Sequence, residues 1–307
     1  MSIQSLMKRT QRWPQKKRHL EVEAIPNVSA LIARVLSDEG YYGNGDPTWL
    51  NAPRAKEAKK ARKTAAKRLR YFADDFPGAG QLADILTHCR PRHRCMSGAC
   101  PQCGRAFQRW LVGQVTKLAE ANPTPLSAVS IAIAEHRTPE SQLHTLHTTG
   151  MKRALAYTLG KVTGINWVAG GIDLSLNDDT QKGSDIGWLP QLYGFVATSD
   201  IDTLSNLLRK RYPKTDQAPR PVQIKRFDGA IEAFSYAFKP GFVKRIAYKD
   251  SEKNRWDTRK VYLSPKHHVQ AMLWMHKIGL SGRLFLKNIR MTRNGHHVEL
   301  LKIRKLE

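Results

Sequence analysis

The fold is decided by a short apolar stretch, WLPQLYGFV, at residues 188–196. A proline lies near its start, and Thr198, Ser199 and Asp200 follow its end, where they should start a helix. Runs of this length and composition are typical of one buried strand. A second strand is predicted upstream at residues 167–177, and the polar residues between the two segments predict the turn of a hairpin.

Strand and helix patterns alternate along the chain on both sides of this hairpin. We predict further strands at residues 126–134 and 222–227, and helices at residues 53–72, 105–119, 141–159, 200–210 and 230–239. In the tail, the patterns predict a helix at residues 260–277 and two basic strands at residues 283–290 and 297–303. The combination of a sheet with helices places the chain in the α+β class.

The chain is strongly basic, with 51 Lys and Arg against 26 Asp and Glu and a formal net charge of +25 over 307 residues. Each phosphate that a protein neutralises releases condensed counterions, so this surplus favours a polyanionic partner. No apolar run approaches the roughly 18 residues of a spanning helix, and the basic N-terminus lacks the apolar core of a signal peptide. We therefore expect a cytoplasmic bacterial protein, associated with the nucleoid or a plasmid, whose cysteines are reduced or bind metal.

Basic residues are densest in the helix predicted at residues 53–72. Like charges along one helix repel, so an acidic partner should lie against it; phosphate is the expected one, and a solvated face is the ordinary alternative. A basic arm at residues 1–20 and a short helix at residues 28–37 are predicted before it. The residues expected to contact nucleic acid are Arg54, Lys59, Lys60, Arg62, Lys63, Lys67 and Arg70, then Arg105, Arg109, Lys244 and Arg245.

All four cysteines lie within fifteen residues, at Cys89, Cys95, Cys100 and Cys103. The last two form a Cys-Pro-x-Cys-Gly turn, which points two sulfurs at one ion. Four thiolates make a closed tetrahedral zinc site, which is structural rather than catalytic. His88 or His93 can replace one of the thiolates, and four free thiols remain the alternative.

The order of the central segments resembles the core of rolling-circle replication initiators, the HUH nickases. In that family a strand carrying Pro-His-hydrophobic-His holds a divalent metal, and a later helix with Tyr-x-x-Lys supplies the tyrosine that attacks DNA. Pro190 and Gly194 match the strand pattern, and Gln191 and Tyr193 stand at the two histidine positions. Tyr236 and Lys239 match the helix pattern. The resemblance implies an antiparallel, ferredoxin-like sheet with helices, preceded by a basic helical region and a zinc knuckle.

The resemblance implies a DNA-binding protein that initiates replication of a plasmid, phage or similar mobile element. Tyr236 would be the nicking nucleophile, and Lys239 would hold phosphate or stabilise phenolate. Gln191 and Tyr193 would stand at the metal positions, for Mn²⁺ or Mg²⁺, and Asp173 and Glu135 are candidate carboxylate substitutes. The DNA would be single-stranded or origin-like.

Two further interpretations stay open. One is a HUH-derived DNA-binding or regulatory protein without catalysis, because glutamine and phenol are poor metal ligands. The other is an RNA-binding protein, since a ferredoxin-like sheet with exposed aromatic residues also suits single-stranded RNA. The residues alone leave open whether the protein is an enzyme and which oligomeric state it has.

Four parts of the chain are expected from these patterns. Residues 1–87 form a basic helical region, and residues 88–122 form the cysteine-rich module with the helix that follows it. Residues 123–250 form the HUH-like core, and residues 251–307 form a basic C-terminal extension.

Overall fold

The structure is a computed structural model, and it describes residues 53–303 with gaps at residues 92, 123, 230, 240, 253, 295 and 296. The basic arm predicted at residues 1–20 and the helix predicted at residues 28–37 lie outside the described residues. Among the described helices, none combines the length and the apolar character that crossing a membrane requires.

Helices open the described chain: α1 (Ala55–Tyr71), α2 (Ala79–His88) and α3 (Pro101–Glu120). In α1 a narrow stripe of small residues with Leu69 is buried, while most of its lysines are exposed. Pro101 opens α3, where its missing N–H costs no helical hydrogen bond. The patterns predicted α1 and α3; α2, which is only ten residues long, was not predicted.

The centre of the described chain is an eight-stranded sheet with the main order β5-β1-β4-β3-β6-β7. In addition, β2 pairs with β4, β8 pairs with β3, and β9 and β10 form a separate two-stranded sheet. The strands are β1 (Leu126–Ala132), β2 (Thr138–Pro139), β3 (Ile165–Asp178), β4 (Ile186–Thr198), β5 (Val222–Arg226), β6 (Val243–Asp250), β7 (Arg255–Val261), β8 (Leu284–Lys287), β9 (Ile289–Asn294) and β10 (His297–Lys302).

The prediction of a wholly antiparallel sheet is wrong, because the sheet is mixed. One edge of β3 pairs with β4, and its other edge is shared by two strands. There, β8 runs antiparallel along residues 168–171 and β6 runs parallel along residues 175–178. The chain leaves β5 at one end of the sheet and reaches β6 on the far side of β3, and such a crossover can deliver a parallel strand.

The remaining helices are α4 (Thr148–Gly160), α5 (Ile201–Arg211), α6 (Ile231–Tyr236) and α7 (Pro265–Arg283). The helix predicted at residues 141–159 begins only at Thr148, because residues 140–145 form 3-10 turns. Tryptophan indoles from β4 and α7 bind carbonyls in this stretch: Trp188 donates to Glu140 O at 3.0 Å and Trp274 to Leu146 O at 2.9 Å. The hairpin of β6 and β7 was not predicted.

The β3–β4 pair separates an apolar face of the sheet from a more polar one. Ile172 lies opposite Leu192 on one face, and Asp173 lies opposite Gln191 on the other, since successive side chains alternate along a strand. On the second face Gly171 lies opposite Tyr193. A β-carbon on Gly171 would overlap the Ala237 carbonyl oxygen and lie 2.8 Å from Phe238 Cδ2. The chain after α6 can therefore pack this closely against β3 only because residue 171 is a glycine.

We expect Gly171→Ala to destabilise the protein by about 1–3 kcal/mol, because the added methyl group meets backbone that cannot move aside. Gly113 in α3 is the matched control, since a β-carbon there meets nothing within 4 Å. Gly113→Ala should be neutral or stabilising by up to about 1 kcal/mol. Urea unfolding midpoints of the two variants measure the difference. Equal midpoints would contradict the close approach of Ala237 to β3.

Candidate functional site

Polar side chains of β3 and β4 form the floor of the candidate site. Asp173, Ser175 and Asn177 alternate along β3, and Gln191 and Tyr193 face them from β4. Gln191 Nε2 donates to Ser175 Oγ at 3.2 Å, and Ser175 Oγ donates to Asn177 Oδ1 at 2.8 Å. Three of these side chains are therefore fixed by one hydrogen-bonded chain across two strands.

A cavity of about 390 Å³ lies over this floor. Tyr236 of α6 lines it, as do Arg245 of β6 and Trp256 of β7. Ser130 of β1 and Gln223 of β5 complete the side that lies toward the edge of the sheet. The cavity thus brings together residues from six strands and one helix.

Tyr236 stands edge-on to Tyr193, with ring centroids 4.8 Å apart and an interplanar angle of 70°. Its helix is held against the sheet by Phe234, whose ring lies 4.4 Å from that of Phe195 in β4. Burial raises the pKa of Tyr193, and the neighbouring Tyr236 and Asp228 raise it further. Tyr193 is therefore a neutral phenol at physiological pH.

Lys239 joins Tyr236 to the floor. Its Nζ lies 3.5 Å from the Tyr236 hydroxyl and 2.6 Å from Asp173 Oδ2. Although α6 ends at Tyr236, the Lys239 amide donates to the Tyr236 carbonyl at 3.3 Å, so the turn that follows keeps the two side chains together. The Asp173 side chain is 5% exposed and that of Lys239 is 14% exposed, so the ion pair is largely removed from water.

Arg283, at the end of α7, binds the backbone of both β3 and the segment that follows α6. Its Nε donates to Ile172 O at 3.0 Å, and an Nη donates to Lys239 O at 3.1 Å. The guanidinium lies against the rings of Phe238 and Phe242, at 4.9 and 5.1 Å. Burial lowers the pKa of Arg283 to about 10, and Asp173 opposes the shift, so the group stays charged at neutral pH. No sequence pattern indicated Arg283, because its partners are distant in the chain.

The four cysteine sulfurs converge within 4.8 Å of one another, as the spacing predicted. Cys103 Sγ lies 3.7 Å from both Cys89 Sγ and Cys95 Sγ, and Cys100 Sγ lies 3.6 Å from Cys89 Sγ. Hydrogen bonds from Cys100 and Cys103 lower the pKa of the Cys89 thiol, which favours a thiolate there. Among the described residues this is the one group of three or more Cys, His, Asp or Glu side chains placed to hold a metal ion.

Neither of the two histidines considered as ligands belongs to this group. His88 Nδ1 is hydrogen-bonded to Asp84 O at 2.8 Å, and His93 is exposed. The group that can hold a metal therefore consists of the four cysteines alone.

The cysteine cluster is coupled to Tyr236 through α3. Cys100 is the residue before α3, so the cluster sets where that helix starts. Further along α3, Gln108 Nε2 donates to Ser235 O at 2.7 Å, and Phe107 packs against Phe238 with ring centroids 4.8 Å apart. The helix that carries Cys103 therefore holds Ser235 and Phe238, on either side of Tyr236.

The predicted nucleic-acid-binding residues are not equivalent in the structure. Exposed ones on α1 and at its N-terminus are Arg54, Lys59, Lys60, Lys63 and Lys67. Arg62 is 5% exposed and donates to Leu86 O and Thr87 O, so it ties α1 to α2 and is buried, unlike the others. Helical position, rather than residue type, decides which side of α1 is buried.

Most of the other predicted basic residues have partners within the protein. Arg70 is exposed but bonded to Asp84 and Thr87, and Arg105 Nε donates to Pro53 O at 2.8 Å. Arg109 is half-buried. Lys244 pairs with Asp178 at 2.8 Å, and Arg245 lines the cavity beside Tyr236.

Of the two candidate carboxylates, only Asp173 is at the site. Glu135 instead forms a two-fold contact with Arg211, at 2.6 and 2.8 Å, which lowers the pKa of Glu135. It lies after β1 and does not line the cavity. The sequence suggested both carboxylates as ligands on neighbouring strands. In the structure Asp173 lies within β3 and lines the cavity, whereas Glu135 lies beyond the end of β1.

We expect Cys103→Ser to lose bound metal and to lower the unfolding midpoint, because Cys103 is fully buried at the centre of the cluster. Metal content measured by plasma emission should fall from about one ion per chain toward none. His93→Ala is the control and should keep both the metal and the midpoint. Full metal content in Cys103→Ser would rule out a site built from all four thiols.

We expect Asp173→Ala to destabilise the fold by about 3–5 kcal/mol, because it leaves the Lys239 ammonium largely buried without its partner. The control is Asp84→Ala, which removes a pair to Arg70 whose side chains are 66% and 51% exposed. That change should cost less than about 1 kcal/mol. Urea unfolding compares them, and a double variant Asp173→Ala/Lys239→Met should recover part of the loss. An Asp173→Ala cost no larger than that of Asp84→Ala would argue against the pair as an anchor.

Comparison of the chain with protein-family models, with curated proteins and with solved structures gives no match. The chemistry of the cavity, the cysteine cluster and the charge of the chain are therefore the features that bear on its function.

Proposed function

We propose that the protein binds DNA and cleaves a single strand by transesterification, with Tyr236 as the nucleophile, in the manner of a rolling-circle replication initiator. The observation that carries the proposal is the position of Lys239 Nζ, 3.5 Å from the Tyr236 hydroxyl in an open cavity. A tyrosine needs a nearby positive charge to act as a nucleophile, because its phenolate is otherwise rare at neutral pH. The setting would be a plasmid, phage or other mobile element in a bacterial cytoplasm.

The placement of Tyr236 supports the HUH resemblance. In the sheet β4 lies between β1 and β3, and it presents Gln191 and Tyr193 to the cavity. Tyr236 comes from the later helix and stands against Tyr193. A nucleophile on a helix above the motif strand is the arrangement that the family pattern implies.

The reaction balances without a change of oxidation state. The Tyr236 oxygen forms a bond to phosphorus, and the bond from phosphorus to the oxygen of the departing strand end breaks. The phenol proton passes to solvent in the cavity, and the departing oxygen takes up a proton. Lys239 stabilises the phenolate, and Arg245 is placed to face a phosphate oxygen, so charge that develops in the transition state is neutralised.

A divalent ion of the HUH kind does not fit the residues present. The phenol of Tyr193 is kept neutral by burial, and the Gln191 amide is bonded to Ser175. Asp173, the carboxylate opposite Gln191, already holds the Lys239 ammonium at 2.6 Å, and its Oδ1 is buried. Asp179, which also lines the cavity, is paired with Lys182 at 3.2 Å. A divalent ion would have to displace that ammonium, and Gln191 and Tyr193 are weak ligands. Lys239 therefore takes the role of the cation in the proposed reaction.

Zinc fits the cysteine cluster. Tetrahedral thiolate coordination has Zn–S distances of about 2.3 Å, which corresponds to about 3.8 Å between sulfurs. The closest sulfur pairs, at 3.6–3.7 Å, approach that spacing. We propose a structural zinc ion, whose removal would loosen α3 and with it the backbone around Tyr236.

DNA is the proposed partner because of charge and its distribution. The net charge of +25 favours a polyanion, and the exposed lysines of α1 offer contacts to phosphates without reading sequence. These contacts would hold the substrate while the cavity receives one strand. Binding should accordingly weaken steeply as salt rises.

A protein that holds DNA without cutting it is the second candidate. The observation in its favour is the same ion pair, because Asp173 lowers the net positive charge that Lys239 offers to a phenolate. In that case the cavity would bind a nucleotide without reacting with it. The covalent adduct separates the two candidates.

We expect labelled single-stranded DNA to give a covalent adduct that survives boiling in detergent, and Tyr236→Phe to abolish it, because the variant lacks the nucleophilic oxygen. Tyr193→Phe is the matched control; it removes the adjacent phenol and should keep the adduct. The assay is run without added divalent ions and then with Mn²⁺ or Mg²⁺.

Each alternative outcome has one meaning. An adduct lost in Tyr193→Phe but kept in Tyr236→Phe would make Tyr193 the nucleophile. An adduct that forms only with a divalent ion would overturn the role given to Lys239. Salt-sensitive binding with no adduct would favour the non-cutting candidate, and a preference for ribose in competition would favour an RNA partner.

A further inference from the structure

We infer that the hairpin of β6 and β7 is a binding surface for the single strand of DNA that leads into the cavity. We call its cavity-side face, formed by Arg245, Lys249, Trp256 and Lys260, the ribbon face. The inference rests on the proposed function for the identity of the substrate. It concerns binding, however, and does not require that Tyr236 reacts.

Strand register places these four side chains on one side of the sheet. Asn177 of β3 lies beside Arg245, and Arg245 lies opposite Lys260. Lys249 lies opposite Trp256. Since side chains alternate along each strand, the ribbon face continues the side of the sheet that carries Asp173 and Asn177. It therefore leads directly away from the candidate site.

Trp256 connects the ribbon face to the cavity. It lines the cavity together with Tyr236, and 42% of it is exposed. Lys182 from the β3–β4 connection lies 5.8 Å from the centre of its ring. An accessible indole beside a reactive centre offers a flat surface on which a nucleotide base can stack.

Lys249 is the direct neighbour of this indole, and Arg245 and Lys260 form a second cationic pair further along the ribbon face. Lys249 and Lys260 are exposed, and Arg245 is half-buried at the cavity wall. Lysines on an edge strand also prevent sheet-to-sheet aggregation, which is the ordinary explanation for them. An exposed tryptophan does not serve that purpose, so aromatic and cationic residues together favour a ligand with both bases and phosphates.

A single strand fits this surface better than a duplex. In a duplex the faces of the bases are covered by their neighbours, so an indole cannot stack on them without unstacking a pair. An unpaired strand exposes its bases, and alternating contacts to base and phosphate are how such strands are held without regard to sequence. The ribbon face would thus hold the flank of the strand whose phosphate lies at Tyr236.

The test measures binding of labelled oligodeoxythymidine by fluorescence anisotropy, with Tyr236→Phe as the background so that no cleavage occurs. Trp256→Ala should weaken binding by about tenfold, and Trp256→Phe should retain most of the affinity because it keeps a stacking ring. Tyr157→Ala is the matched control. Tyr157 is 70% exposed with Lys161 at 4.5 Å from its ring, but it does not line the cavity, so binding should not change.

Two further measurements address the charges and the strandedness. Lys249→Gln and Lys260→Gln should each reduce the slope of log affinity against log salt by about 0.7. Duplex DNA should bind more weakly than the single strand, and Trp256→Ala should leave the affinity for duplex DNA unchanged.

Three outcomes would overturn the inference: unchanged affinity in Trp256→Ala, an equal loss for duplex and single strand, or a tighter complex with oligouridine than with oligodeoxythymidine. A protein that shows no adduct in the cleavage assay but loses oligodeoxythymidine binding in Trp256→Ala would refute the nickase and retain the ribbon face.

Discussion

The geometry of the site depends on the burial of one carboxylate. Asp173 projects from the middle of β3 and is 3% exposed, so its charge must be balanced within the protein. Lys239 supplies the balancing charge, and Arg283 binds the backbone at both Ile172 and Lys239. These contacts fix the segment that follows α6 on the sheet, over a glycine that leaves room for it. Because Tyr236 immediately precedes this segment, the same contacts also determine its position.

The region around Tyr236 is also held by α3. The cysteine cluster sets the start of α3, and α3 binds the Ser235 carbonyl and packs against Phe238. A short helix of six residues has little stability of its own. Two anchors therefore give Tyr236 a defined place beside Lys239, and a metal in the cysteine cluster would act on the site through α3.

Local patterns predicted many elements well, because a strand or helix that buries one face shows it within a few residues. The central hairpin of β3 and β4, the helices α1, α3 and α5, and the convergence of four cysteines were all predicted. The hairpin of β6 and β7 was not, since its mostly exposed basic residues lack the apolar alternation of a core strand. Arg62 was predicted to contact nucleic acid by residue type, and in the structure it lies on the buried side of α1 and bonds to carbonyls of α2.

The sequence by itself determined the α+β class, the pair Tyr236 and Lys239, the cysteine cluster and a strong net positive charge. Each depends on residues near one another in the chain or on composition. Only the tertiary structure decided that the sheet is mixed, that Asp173 rather than Glu135 lies at the site, and that Arg283 and Trp256 belong to its surroundings. Strand register and the return of α7 to β3 bring these residues together, and such contacts between distant segments arise from packing of the whole chain rather than from any local pattern.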